Sequence, residues 1–383
     1  MLQSTLKFRI FKSDFPISEQ TVANYLSPLF SNKPNHIFLE KSEAPLKKGE
    51  PLLGVCLTGG SEAPFLKVAM ENPHSPAIIL THNKANSFAS GCELSARLNL
   101  EHKKGKRAPT IFCSIDDAKS LKSILNAASV SSRFVQKPPR LGIIGEPSPW
   151  LICSGRIAEH LPQVFHIQTK KISMKEFINK ILDSKSVKTS LSQLIKKNNL
   201  DAFTIRCFDI LPYKVTSCVE VSEFNDEGIT ATCEGDISSA VTMIILQSLA
   251  RSPVFMANAT GFNGDQMTFA HCTIPRKLCS DSSIKTHFES GLGKAICGKV
   301  KEGKWTMARI GADGQVMAEL VDVKNPEKVS PDHCRTQIIV EMPSELRGRI
   351  RRGDVLGNHF MFVPGDIKDD IEYFTRFHSS WKN

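Results

Sequence analysis

No stretch of the 383-residue chain approaches the roughly 18 consecutive apolar residues of a membrane helix, and its opening MLQSTLKFRIFKSDFPISEQ lacks the unbroken apolar core of a signal peptide. A soluble cytoplasmic protein without a membrane partner is the expectation. There is no G-x-G-x-x-G, so a dinucleotide site has no support. There is no C-x-x-C pair either, and the 11 cysteines are odd in number and lie mostly inside apolar runs such as LICSG and AICGK. Buried, reduced thiols are expected rather than a disulfide framework. Aromatic residues are scarce at 7%. The formal charge of +10 therefore meets few rings on which bases could stack, and its two dense clusters, HKKGKR at 102–107 and RGRIRR at 347–352, accompany no nucleic-acid motif. Solvated basic loops are expected there and nucleic acid is not, while an anionic substrate such as a sugar phosphate stays open.

What is present is enough apolar residue, 41% of a long chain, for two or three domains. Residues 1–137 alternate apolar runs with polar helical stretches, as in an α/β domain, and PLLGVCLTGG and PAIILTHNKANS end in small polar residues, as strands facing a ligand do. Paired prolines in Lys137-Pro138-Pro139-Arg140 mark a joint. A second α/β domain is read over 138–258. Beyond it the texture changes to short alternating runs (QMTFAHCTIP, KAICGKV, WTMARIG, QVMAELVDV, RTQIIVEM, HFMFVPGD), which predict an antiparallel barrel or sandwich over 259–383, closed by a helical tail.

The chain is organised around 229–275. Ile229–Cys233 reads as a short strand that stops at Glu234-Gly235-Asp236, where Asp236 can cap the next helix and Gly235 permits a sharp turn. Apolar residues at 237, 240, 241, 244, 245 and 249 have helical spacing, and PVFMA then opens a second strand with its exit at Asn258. Read as a βαβ unit, the two strands are parallel and bring Glu234 and Asn258 to one sheet edge, where open α/β sheets bind ligands. A loop acid beside a helix N-terminus is the plainer reading of Glu234.

These residues, with Thr242-Met243, Ala270-His271-Cys272-Thr273 and Gly357-Asn358-His359, resemble the L-fucose and L-arabinose isomerase superfamily. The resemblance covers nearly the whole chain, though its specific residues lie in 229–275 and 353–365. It implies two Rossmann-like α/β domains followed by a mostly antiparallel β domain. It implies a divalent metal, commonly Mn²⁺, held by Glu234 and His359, with His271 a further ligand as in arabinose isomerases. It also implies substrate contacts near His82 and Asn358, and a homotrimer or homohexamer with active sites shared between subunits. His82 and His271 also read as satisfied surface or core histidines.

The activity implied is aldose–ketose isomerisation of a pentose, 6-deoxyhexose or related sugar through an enediol. The proton moving between C1 and C2 needs a carboxylate, and the developing charge needs a cation. Oxygen and imidazole ligands suit Mn²⁺ better than a closed zinc site, which would recruit thiolates. The family's second acidic ligand falls on Asn258, which can coordinate a cation through its amide oxygen but cannot carry a proton. Glu234 alone, Asp236, Asp265 or a metal-bound water is left to do so. The alternative is a non-catalytic sugar-binding or regulatory protein on the same scaffold.

Overall fold

In the computed structural model the chain forms two compact units, residues 1–137 with 369–383, and residues 138–368. The structure describes residues 6–13, 16–31, 37–40, 42 and 44–378, with backbone alone at 30, 31 and 37–40. Among these, no helix is long and apolar enough to cross a membrane.

The first unit is built on a parallel sheet of β1 (Leu6–Phe11), β2 (Ile37–Glu40), β3 (Leu52–Cys56), β4 (Ala77–Thr81) and β5 (Thr110–Ser114), in the order β2-β1-β3-β4-β5. This is a common doubly wound, Rossmann-like order. Every residue of β3 and β4 is buried, which is why both read as unbroken apolar runs. Helices Glu19–Ser31, Glu62–Glu71 and Ser87–Lys103 link the strands, Ala118–Gln136 leads out after β5, and the helix Lys368–His378 completes the unit. It is tied there by Asn126 to Asp370 (2.5 Å), Ser131 to His378 Nδ1 (2.9 Å) and Arg376 to the Thr110 carbonyl (2.8 Å).

The second unit begins with another parallel sheet, β6 (Arg140–Ile144), β7 (Gln168–Ile172), β8 (Ala202–Ile205) and β9 (Thr230–Cys233), ordered β7-β6-β8-β9. The helix Ile237–Ala250 then leads into antiparallel structure. A hairpin forms from β12 (Cys279–Lys285) and β13 (Ala295–Val300). A closed barrel runs β10 (Phe255–Asn263), β11 (Gln266–His271), β16 (Thr336–Glu341), β15 (Val316–Lys324), β14 (Gly303–Ile310), β17 (His359–Pro364). Two Rossmann-like α/β sheets followed by an antiparallel β domain is thus the architecture. Trp305, Phe255, Phe269, Phe360 and Phe362 pack the barrel core, all at most 2% exposed.

Two expectations need correction. The strand after Ile237–Ala250 is not a parallel partner of β9: β10 pairs antiparallel with β11 and β17. The PVFMA run continues through nine residues of β-structure that close the barrel, so Asn258 lies within a strand rather than at the exit of a βαβ unit. The basic clusters are not simply solvated loops. Arg107 is buried and donates to the carbonyls of Ala69, Ser75 and Ala108, while Arg347 and Arg349 pair with Asp265 and Asp354.

Phe269 is fully buried, with its ring 5.4 Å from Phe360 and 4.9 Å from Phe362. Phe269→Ala is expected to cost about 3–5 kcal/mol in equilibrium urea unfolding, since the closed barrel cannot collapse onto the void.

Candidate functional site: a Glu–His–His cluster with a buried thiol

At the carboxyl end of β9 the chain turns through two consecutive left-handed residues, Glu234 (φ 63°) and Gly235 (φ 70°). A Cβ on residue 235 would meet Pro147 Cα at 2.8 Å and the Glu146 carbonyl at 3.1 Å, so only glycine fits. Glu234 has no such excuse. A non-glycine residue held in this region costs on the order of 1 kcal/mol or more and persists where the surroundings over-determine it. Here they do: the 145–155 loop after β6 lies against the turn, with the Ser148 N–H on the Glu234 carbonyl (3.1 Å) and the Ser154 carbonyl on the Ile237 and Ser238 amides (3.1 Å each).

The turn aims Glu234 Oε1 between two imidazoles, 3.4 Å from His359 Nε2 and 3.7 Å from His271 Nε2. His271 is the last residue of β11 and His359 the first of β17; the two strands flank β10 and are staggered so that Ala270 and His359 both pair with Asn258, which brings the two histidines to one level. The other carboxylate oxygen, Oε2, accepts from the Trp150 indole N–H at 2.9 Å. Cys233 Sγ lies 3.7 Å from His271 Nε2, and the ligating atoms of Cys233, Glu234 and His271 fall within 4.8 Å of one another. This is a buried Cys/Glu/His cluster capable of holding a divalent metal.

Each imidazole is oriented from behind. His271 Nδ1 meets Thr273 Oγ1 at 2.9 Å, and His359 Nδ1 meets Asp236 Oδ2 at 2.8 Å. Asp236 is fully buried. It caps the helix Ile237–Ala250 by accepting from Ser239 N (2.8 Å), accepts from Ser154 Oγ (3.1 Å), and faces Arg309 Nη2 at 3.8 Å. Arg309, also fully buried, donates to the Leu356 carbonyl (2.9 Å) and the His359 carbonyl, and so clamps the turn that delivers His359. Gly357 (φ 144°) is part of that clamp, because a Cβ there would sit 2.4 Å from the guanidinium. A carboxylate behind a histidine whose far nitrogen points at a shared centre is the usual support for a metal-ligating imidazole.

Electrostatics follow from this packing. Burial pushes the Glu234 carboxyl up, but His271 and His359 more than reverse it and hold it well below the usual range. Burial raises Asp236 too, while Arg309, His359 and the Ser239 amide bring it down. His359 would be lowered by burial; its hydrogen bond to Asp236 and the Glu234 charge raise it to about 9 instead. Nε2 is nevertheless buried without a hydrogen-bond partner, because at 3.4 Å its pull on Glu234 is charge to charge rather than a directed bond. That orphaned ring nitrogen, the Glu234 oxygen and His271 Nε2 make a donor set that fits a divalent cation. Cys233 is a hard thiol to ionise, since a hydrogen bond with Cys207 and complete burial push it well up.

The other expected residues are placed differently. The Asn258 amide oxygen accepts from Asn358 Nδ2 at 3.0 Å, with Asn258 directly across the barrel ladder from His359. Asp265 sits in the β10–β11 turn beside Arg347 and Arg351, roughly 20 Å along β11 from His271. His82 belongs to the first unit and is satisfied locally: its Nε2 meets the Leu57 carbonyl (3.0 Å) and its Nδ1 the Lys84 amide (3.2 Å). Cys233, Trp150 and Arg309 were not anticipated. The signals were faint: a tryptophan just after a proline-rich strand exit, and a charged residue interrupting the alternation of WTMARIG.

No family model matches the chain. Among curated proteins it is similar to the sulfoquinovose isomerases of Priestia aryabhattai and Priestia megaterium (strain ATCC 12872 / QMB1551), 24% identical over 194 residues, or 48% of this chain and 44% of each relative. A sulfoquinovose isomerase of Clostridium sp. (strain MSTE9) matches at 21% over 192 residues, 46% of this chain and 42% of that one. The chain thus spans less than half the length of the curated relatives it matches.

The raised His359 makes a signed prediction. A metal binding Nε2 must displace a proton at any pH below about 9, so affinity is expected to rise by about tenfold per pH unit from 6.5 towards 9 and then level off. In the metal-free protein the same pair contributes stability that is complete below pH 6.5 and lost as pH climbs through about 9. Calorimetric metal titrations and thermal melts of chelated protein across that window check both; flat profiles would mean that Asp236 and Glu234 do not hold the imidazolium.

Proposed function

We propose that this protein is a metal-dependent aldose–ketose isomerase, moving a proton between C1 and C2 of a sugar through an enediol. The observation that carries the reading is the convergence of Glu234 Oε1, His271 Nε2 and His359 Nε2, each oriented by a partner behind it. The distant similarity to sulfoquinovose isomerases supports the same class and adds a 6-sulfonated hexose to pentoses and 6-deoxyhexoses as substrates to try. Glu234, His271 and His359 would hold the cation. When bound, it would supply Lewis-acid polarisation of the sugar carbonyl and its neighbouring hydroxyl. Mn²⁺ suits this oxygen and imidazole set so long as Cys233 keeps its proton; a metal that ionised the thiol would shift preference towards zinc.

The chain's own residues divide the remaining work. Trp150 fixes Glu234 through Oε2 and leaves Oε1 facing the histidines. Asp236 positions His359, and with its oxygens engaged by His359, Ser154 and Ser239 it is not free to shuttle protons. Asn258 is the one observation that favours a second reading, a sugar-binding protein without turnover, because its amide replaces a proton-carrying acid.

The test is a product assay with Mn²⁺ and a panel of pentoses, 6-deoxyhexoses, phosphorylated aldoses and sulfoquinovose. One of these is expected to be converted to its ketose, and Glu234→Gln to lower kcat at least about 10²-fold with loss of metal affinity. Saturable sugar binding with no conversion of any of them would favour the second reading. A homotrimer or homohexamer is part of the proposal, and light scattering across a wide concentration range should find one rather than a monomer.

A further inference from the structure

With Asn258 an amide, Asp236 enclosed and Asp265 at the far end of its strand, the isomerase reading lacks a second group to carry the reaction proton. The loop 286–294 between β12 and β13 carries a further carboxylate, Glu289. It is fastened at several points: the Arg335 guanidinium donates to the Thr286 carbonyl (2.8 Å), and Thr216 Oγ1 bridges the carbonyl (2.7 Å) and amide (2.9 Å) of Lys294. The Phe288 side chain packs against the cluster of Cys218, Cys272 and Ala295, and Cys272 is the residue next to His271. Phe288 therefore docks the loop beside a cluster histidine. At its tip the Glu289 side chain is 49% exposed, with Oε2 3.5 Å from His287 Nε2, while the other ring nitrogen of His287 meets Ser290 Oγ at 3.0 Å.

A continuous wall of rings joins this loop to the site. The His287 ring is 6.0 Å from Phe208, Phe208 is 5.0 Å from Trp150, and Trp150 donates to Glu234. His287, Phe208, Cys207 and Cys218 also line a small cavity. Resting on the isomerase reading of the Glu234 site, we propose that Glu289 is the second catalytic carboxylate, taking the proton from one sugar carbon and returning it to the next.

Written for the aldose, the Glu289 carboxylate removes the C2 proton; the C–H pair becomes the C1–C2 double bond, and the carbonyl pair moves to O1, which gains the proton that O2 gives up. Return of the first proton to C1 as the O2 lone pair forms the C2 carbonyl leaves the ketose and a free carboxylate. Atoms and electrons balance with no co-reactant. The surroundings favour a proton carrier. Burial raises the Glu289 carboxyl and the Glu234 charge raises it further, with His271 and His359 acting in the opposite sense, so it feels the whole cluster. A carboxyl raised above its ordinary value is the stronger base for taking up a carbon-bound proton.

The experiment compares the full-length wild type with Glu289→Gln, Glu289→Asp and Glu289→Ala, with added Mn²⁺. Mn²⁺ affinity is measured by calorimetry, kcat and KM by product formation, and deuterium uptake at C1 in D₂O. Glu289→Gln is expected to keep Mn²⁺ affinity and KM within about threefold and to lose kcat by about 10²–10⁴-fold, with deuterium uptake falling in parallel. Glu289→Asp should retain an intermediate rate, and added formate should restore part of the rate in Glu289→Ala. A Glu289→Gln rate within about threefold of wild type overturns the proposal, as does a variant whose only defect is lost Mn²⁺ affinity. A wild type that binds Mn²⁺ but converts no sugar removes the isomerase reading and this proposal with it; an active wild type with an unaffected Glu289→Gln removes this proposal alone.

Discussion

The second unit depends on one buried chain of charge, Arg309 to Asp236 to His359 to Glu234. Each member is expensive to bury alone, and removing a single partner from such a set strands the others without water. Together their charges are paired, although Arg309 Nη2 and His359 Nε2 have no hydrogen-bond partner, and they do three structural jobs at once. Asp236 starts the helix Ile237–Ala250, Arg309 fastens the turn before β17, and His359 connects the two. The α/β sheet and the barrel of this unit are therefore joined by the residues that build the site.

That economy explains the departures from ordinary backbone geometry. Glu234 is held in a left-handed conformation because β9 must stop and the helix must start within a few residues, with a carboxylate left facing the barrel end. The 145–155 loop braces the strained turn from outside and contributes Trp150 to its carboxylate. The cluster is thus assembled from three separate segments that meet only in the folded state: the β9 turn, the loop after β6, and the barrel strands β11 and β17.

Much of this was legible from residue order. The apolar runs of β3 and β4 were clear because fully buried strands leave unbroken apolar stretches, and the shift to alternating runs after residue 260 announced the barrel. Glu234, His271 and His359 were picked out by the resemblance to the isomerase superfamily, with their places at expected strand ends in support. What could not be read was partnership. PVFMA has the same composition whether it joins a parallel sheet or a barrel, so β10 was put beside β9; only its nine-residue length and its register with β11 and β17 decide the matter. Asp236 looked like a spare acid because a helix cap and a buried charge partner use the same residue type. Glu289 was not singled out at all, because nothing in its neighbours announces that the loop docks beside Cys272.

The return of the helix Lys368–His378 to the first unit has a consequence for how the molecule is made. Its ties to Asn126, Ser131 and Thr110 belong to a unit whose other residues leave the ribosome more than two hundred positions earlier. The first sheet emerges early yet stays without its last helix until the whole second unit has been translated. Vectorial folding therefore cannot finish the N-terminal unit first. The N-terminal unit, begun first, is completed only when its C-terminal helix is made, so Asn126 and Ser131 on Ala118–Gln136 wait for their partners until the second unit has been translated.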